Sequence, residues 1–216
     1  MDITQTSLEN IVKLKNAFDQ DVNKDLNAIK NNNFDIGTYN SRYFLEWDFH
    51  FDDISKVSND IGFLPINLNR GIWNLIATIN PETRELFLFM KEKNINSILK
   101  NNKKENHYLN ILLQKNEQLS VPLLNDTDFT DKIRNIMGDY SKKFDKVLIF
   151  SKHNLGFMNE STLQYYSSEG ILIKSENIPS IIPDNTSNTI KLTKNSENHF
   201  EVKAKIHIKK DIKKKD

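Results

Sequence analysis

A chain of 216 residues is long enough for one large domain, or two small ones, that buries roughly 70% of the surface its unfolded form exposes. Thirty basic residues against 29 acidic ones leave a net charge of +1, so no overall field draws the molecule to DNA or anionic membrane. The absence of cysteine excludes disulfides, thiolate metal sites and a cysteine nucleophile, while 13 Phe, 6 Tyr and 2 Trp argue against disorder.

The first residues, Met1 to Ser7, are polar, with neither the basic nor the apolar stretch of a signal peptide. No apolar run approaches the ~20 residues that cross a bilayer, so a cytoplasmic protein with no membrane partner is expected. Residues 6 to 30 read as one amphipathic helix. Thr6 and Glu9 fit a capping box, and Leu8, Ile11, Val12, Phe18, Val22, Leu26 and Ile29 form a stripe that Lys15 interrupts. That stripe suits core packing, with a homodimer seam as the alternative.

From Tyr43 to Asp53 the pattern changes. Leu45, Trp47, Phe49 and Phe51 alternate with Glu46, Asp48, His50 and Asp52, which predicts a strand with one aromatic and one acidic face. Glu46, Asp48, His50 and Asp52 are therefore the candidate catalytic residues, with Asp48 and His50 as metal ligands for Mg²⁺ or Mn²⁺. The competing reading is a solvated or salt-bridged strand face that needs no cofactor. Alternate residues on a strand lie roughly 6.5 to 7 Å apart, so one ion would need further ligands, with His107 or His153 as donors.

Asp53 to Ile61 reads as a short helix that Gly62 closes, and Pro65 with Asn67 to Gly71 as a loop. Arg70 in that loop is a candidate anion contact, against a plain turn role. Ile72 to Ile79 and Glu85 to Met90 form a hairpin around Asn80-Pro81-Glu82-Thr83. The return strand is apolar on both faces and should be central. Residues 93 to 119 hold one or two helices broken near 101 to 104, and another runs from Asp126 or Asp128 to about Phe144. Val147 to Phe150 and Ile171 to Ile173 read as short buried strands, with Glu160 to Ser167 between them helical.

Residues 1 to 178 read as a main domain, residues 179 to 198 have the composition of a loop or linker, and residues 199 to 208 read as a closing strand of the same domain. In that strand Lys203, Lys205, His207 and Lys209 oppose Val202, Ala204, Ile206 and Ile208. Its basic face could pair with the acidic one at 46 to 52, each cross-strand charge pair being worth roughly 0.2 to 1 kcal/mol. The basic tail 209 to 216 is expected to be disordered. Lys203, Lys205, Lys209 and Lys210 are the candidate contacts to nucleic acid. Mixed helices and strands without steady alternation indicate an α+β fold with a largely antiparallel sheet packed with several helices.

Phosphate-binding, nucleophile-elbow and zincin motifs are all missing. The acidic-x-Lys motif of PD-(D/E)xK nucleases is also absent from the hairpin, because Phe89 stands two residues before Lys91. Arg70-Gly71-Ile72-Trp73, Glu85 to Lys93, and His107-Tyr108-Leu109 with Leu112, Leu113 and Asn116 resemble uncharacterised proteins of prophages and mobile elements in low-GC Gram-positive bacteria. The resemblance covers about residues 60 to 120 and implies a phage or element-borne accessory protein in a bacterial cytoplasm; it transfers no catalytic residues and implies nothing about mechanism. The expected function is a non-enzymatic interaction protein that binds a host or phage macromolecule, with protein as the expected partner. The alternatives are a metal-dependent nuclease or phosphodiesterase on the acidic face, and nucleic-acid binding through the basic carboxy-terminal end.

Overall fold

The computed structural model describes residues 3–31, 42–69, 74–100, 106–116, 126–155 and 158–180. Helices α1 (Leu8–Asp19), α2 (Asn23–Asn31) and α3 (Arg42–Asp60) precede strands β1 (Leu64–Asn69), β2 (Asn74–Asn80) and β3 (Glu85–Lys91). Then come α4 (Glu92–Leu99), α5 (Tyr108–Leu113), α6 (Asp126–Met137) and a 3-10 turn at Gly138–Lys142. Strands β4 (Lys146–Leu155), β5 (Met158–Tyr166) and β6 (Leu172–Asn177) follow. The six strands lie in sequence order in one sheet. Every junction is antiparallel except β3 with β4. The α+β class and the largely antiparallel sheet are as the sequence implies.

Each face of the sheet carries its own core. Leu86, Leu88 and Met90 of β3 face α4, α5 and α6, together with Val147 and Ile149 of β4. Phe87, Phe89, Leu148 and Phe150 face α1 and α3, where they meet Leu14, Phe18, Trp47 and Ile54. Strand β3 is thus covered on both sides, as its unbroken apolar run requires. The stripe of α1 is consumed in this packing, since Ile11, Leu14 and Phe18 are fully buried in the chain's own core.

Five expectations are corrected. Residues 42 to 60 form one helix, because their buried positions Trp47, His50, Ile54 and Ser58 recur at helical spacing. Gly62, at φ +77°, closes it as the sequence predicts, with Phe63 N donating to Ser58 O at 2.7 Å and Gly62 N to Asn59 O at 3.1 Å. The helix over 6 to 30 is two helices, split at Gln20, after which the Asp21 carboxylate accepts from Asn23 N at 3.0 Å. Residues 160 to 166 belong to strand β5 and not to a helix, and Pro65 lies inside β1, an edge strand that tolerates its missing N–H. Ile171, Leu172 and Ile173 are exposed rather than buried. The segments 181 to 198, 199 to 208 and 209 to 216 lie outside the described residues.

Helix α1 starts at Ser7, whose hydroxyl accepts from Asn10 N, so Thr6 is left for another role. Thr6 joins a clasp around the buried carboxylate of Glu85 at the start of β3. Glu85 accepts from Thr4 Oγ1 at 2.6 Å, Gln5 N at 2.9 Å, Thr6 Oγ1 at 2.8 Å and Thr83 Oγ1 at 3.0 Å. Lys146 Nζ stands 3.6 Å away. Burial alone would push this carboxyl up, but the hydrogen bonds from Thr4, Gln5 and Thr6, with Lys146, outweigh it and hold the acid below its ordinary value. Its ionised form therefore stabilises the fold fully above pH ~4.3, and that share is lost as pH falls through the depressed value. Glu85→Gln, which trades charge-assisted hydrogen bonds for neutral ones, should cost about 2 kcal/mol in denaturant unfolding at neutral pH.

Candidate functional site

Along β3 and β4 the face under α1 and α3 runs aromatic and then turns cationic. Phe87 pairs in register with Leu148, Phe89 with Phe150, and Lys91 with Lys152. Phe89 and Phe150 stack at 5.3 Å, and Phe18 meets Phe89 edge-on at 5.4 Å. The parallel register thus sets two lysines side by side at the carboxyl ends of the two strands, where open sheets tend to bind ligands.

Lys152 is 3% exposed and is held by neutral groups. Its ammonium donates to Phe18 O, one of the last carbonyls of α1, at 3.1 Å, and lies 3.3 Å from His50 Nε2. The nearest described acids are engaged elsewhere. Asp19 pairs with the buried Lys15 at 2.8 Å and accepts from Ser161 N, and Glu46 lies 3.7 Å from Lys91. Burial is the main force lowering the Lys152 pKa, opposed by Asp19 and Glu46 and aided by Lys91. His50, 2% exposed, is lowered to about 4 by burial first and then by Lys152 and Lys91. It is therefore neutral at pH 7. With Nε2 facing the ammonium, the ring proton belongs on Nδ1, which is buried without a hydrogen-bond partner.

Beside this cluster lies a cavity of about 240 Å³ between the first turns of α3, the carboxyl end of β3 and the start of β2. Tyr43, Trp47, Phe51, Leu75, Phe89 and Met90 supply its apolar wall. Lys91, Asp48, Asn74 and Asn94 supply its polar groups. Lys152 and His50 do not reach it.

The structure disperses the residues that the sequence set in one acidic row. On a helix, side chains two apart point about 200° away from each other, so Asp48 and His50 cannot ligate one ion. His50 goes into the core, Asp48 lines the cavity, Glu46 pairs with Lys91, and Asp52 pairs with the exposed Lys56 at 2.5 Å. His107 accepts from Leu109 N as the cap of α5, and His153 pairs with Glu92 at 2.6 Å. Among the described residues no group of three or more His, Asp or Glu is placed to hold a metal ion. Among the described residues the four candidates of the metal reading therefore do not converge on one ion. Arg70, Lys203, Lys205, Lys209 and Lys210 lie outside the described residues.

The residues of this cluster that the sequence reading did not single out are Lys91, Lys152 and Asp19. A signal was present. Leu148-x-Phe150-x-Lys152 and Phe87-x-Phe89-x-Lys91 each place a lysine in phase with an aromatic face.

Fold and site together define an α+β protein with a helix-covered sheet and a small aromatic cavity at the end of its central strand. The chain belongs to a family of unknown function, DUF5986, whose model matches residues 2–216. Neither a curated protein nor a solved structure matches it significantly. Among the described residues no helix is long and apolar enough to cross a membrane.

Two measurements probe the buried pair. Because the His50 pKa is depressed, the unfolded chain binds the extra proton between pH ~6.5 and about 4, and stability falls with pH across that window by roughly 3 kcal/mol. His50→Gln, which accepts from Lys152 without titrating, should flatten that part of the stability curve; an unchanged slope would place the titration elsewhere. Lys152→Met removes a repelling charge, so the His50 midpoint followed by NMR should rise above about 4. A fixed or falling midpoint would show that burial alone sets it.

Proposed function

We propose that this protein is a non-enzymatic interaction protein of a bacterial phage or mobile element, acting in the cytoplasm on a host or phage macromolecule, with a protein as its partner. The observation that carries this reading is the run Ile171-Leu172-Ile173 at the start of β6, where three consecutive branched side chains are 61%, 47% and 51% exposed. Exposed runs of this kind weaken solubility and are retained where they serve contact.

The turn that presents them is fixed. Ser167 Oγ accepts from Glu169 N at 3.2 Å and Ile171 N at 3.1 Å, and Ser167 N donates to Ile171 O at 2.8 Å. Gly170 takes φ +78°, and a Cβ there would stand 2.9 Å from Leu99 Cδ2. A partner would therefore meet an ordered edge and lose little entropy on ordering it. The mobile-element setting rests on the resemblance of residues 60 to 120 to prophage proteins.

Full burial of one such side chain contributes roughly 1.5 to 3 kcal/mol, about tenfold or more in affinity. A photo-crosslinking residue at Leu172, expressed in a bacterial host, should give a discrete adduct. Ile171→Lys with Ile173→Lys should abolish it while the melting temperature stays put. An adduct that survives this double change, or no discrete adduct, would reject the reading.

A further inference from the structure

Lys91 brings a cation to the cavity wall. Its side chain is 16% exposed in the wall of the cavity, and its ammonium lies 4.7 Å from the Tyr43 ring centroid and 5.5 Å from that of Trp47. The Glu46 carboxylate, at 3.7 Å, is close enough to attract but beyond hydrogen-bond reach. Among the described residues nothing accepts a hydrogen bond from Lys91 Nζ. Its three N–H donors thus stand beside aromatic rings and one carboxylate at the cavity wall, where an anionic ligand would accept charge-assisted hydrogen bonds from them.

The local charge points the same way. Among the described residues Lys15 is matched by Asp19 and Lys91 by Glu46, while Lys152 in the next strand has neutral hydrogen-bond partners. An added negative charge near Lys91 is therefore attracted. Asp48 on the rim limits how much, favouring a monoanion over a phosphate dianion. The remaining wall of Trp47, Phe51, Phe89, Leu75 and Met90 suits a flat apolar ring. Asn74 and Asn94 add amides for one polar substituent. A volume of about 240 Å³ lies below the range of drug-sized sites, so a single ring system with a short acidic arm is the size that fits.

We propose that this cavity binds a small aromatic carboxylate, its ring packed on Trp47 and Phe51 and its carboxylate on Lys91. This site is separate from the β6 edge and goes beyond the interaction reading.

The probes are phenylacetate and its uncharged amide, phenylacetamide, added to the full chain and followed by ligand-observed NMR and calorimetry. Phenylacetate should bind at least about tenfold more tightly than the amide, a difference of ~1.4 kcal/mol. Lys91→Met should bring that ratio to about one, and Lys91→Arg should restore most of it, because a guanidinium also holds a carboxylate. Phenyl phosphate should bind more weakly than phenylacetate. Equal binding of acid and amide, a ratio unchanged in Lys91→Met, or no binding of either probe at ~10 mM, a range where even a −2.7 kcal/mol interaction shows, would overturn the proposal.

Discussion

Two neighbouring strands that run parallel need a long crossover, and in this chain β3 and β4 are joined by residues 92 to 145. That connection carries α4, α5 and α6 to one face of the sheet, while the chain before β1 supplies α1 and α3 to the other. The two cores follow from this single junction, because a β3 apolar on both faces must be covered on both. Asn116 ties the crossover down. Its amide donates to Val147 O at 3.0 Å and Tyr166 O at 2.8 Å, and accepts from Val147 N at 2.7 Å, so the return into β4 is held by a satisfied polar group.

The same junction creates the electrostatic problem at the other end of the strands. In parallel register Lys91 lies beside Lys152, and α1 and α3 close over them. Lys152 is tolerated because the end of α1 presents a carbonyl and His50 a lone pair, both neutral acceptors in a dry place. Such an arrangement is weak evidence for stability, since apolar residues of similar size often serve as well or better. A cation kept there biases what surrounds it. It adds to the burial that lowers His50, and it stands one strand away from Lys91, whose paired carboxylate lies beyond hydrogen-bond range.

Much of this fold could be read in the residues. The hairpin at Asn80 to Thr83, the central character of Leu86 to Met90, the stop at Gly62 and the antiparallel bias all followed from local chemistry. The error at 43 to 53 has a definite cause. Alternation over eight residues also places Leu45 with Phe49 and Trp47 with Phe51, and these are i, i+4 pairs, so a short window fits a strand and a helix equally. Extending the window to Ile54 and Ser58 favours the helix. The cavity was not legible, because it joins Trp47, Leu75 and Met90 from three elements, and only the sheet register brings them together. His50 was noticed for the wrong reason: it was grouped with acids along a strand, whereas its partner is a lysine 102 positions away.

The cavity and the exposed run on β6 are separated by strands β4 and β5. In the strand order β3 and β6 stand three places apart, about 14 Å across the sheet. Strands β4 and β5 between them pair from Ile149 with Gln164 to Leu155 with Met158, and Leu148, Phe150 and Leu163 are fully buried. Sites so separated, with no shared side chain, usually add without coupling. Coupling would require an element with two arrangements that both sites bias. The candidate for such an element is the first turn of α3, where Tyr43 and Phe44 are 44% and 45% exposed and Tyr43 leans on Lys91. It borders the cavity and not β6. A ligand on Lys91 would therefore act on the start of α3 and leave the β6 edge as it is.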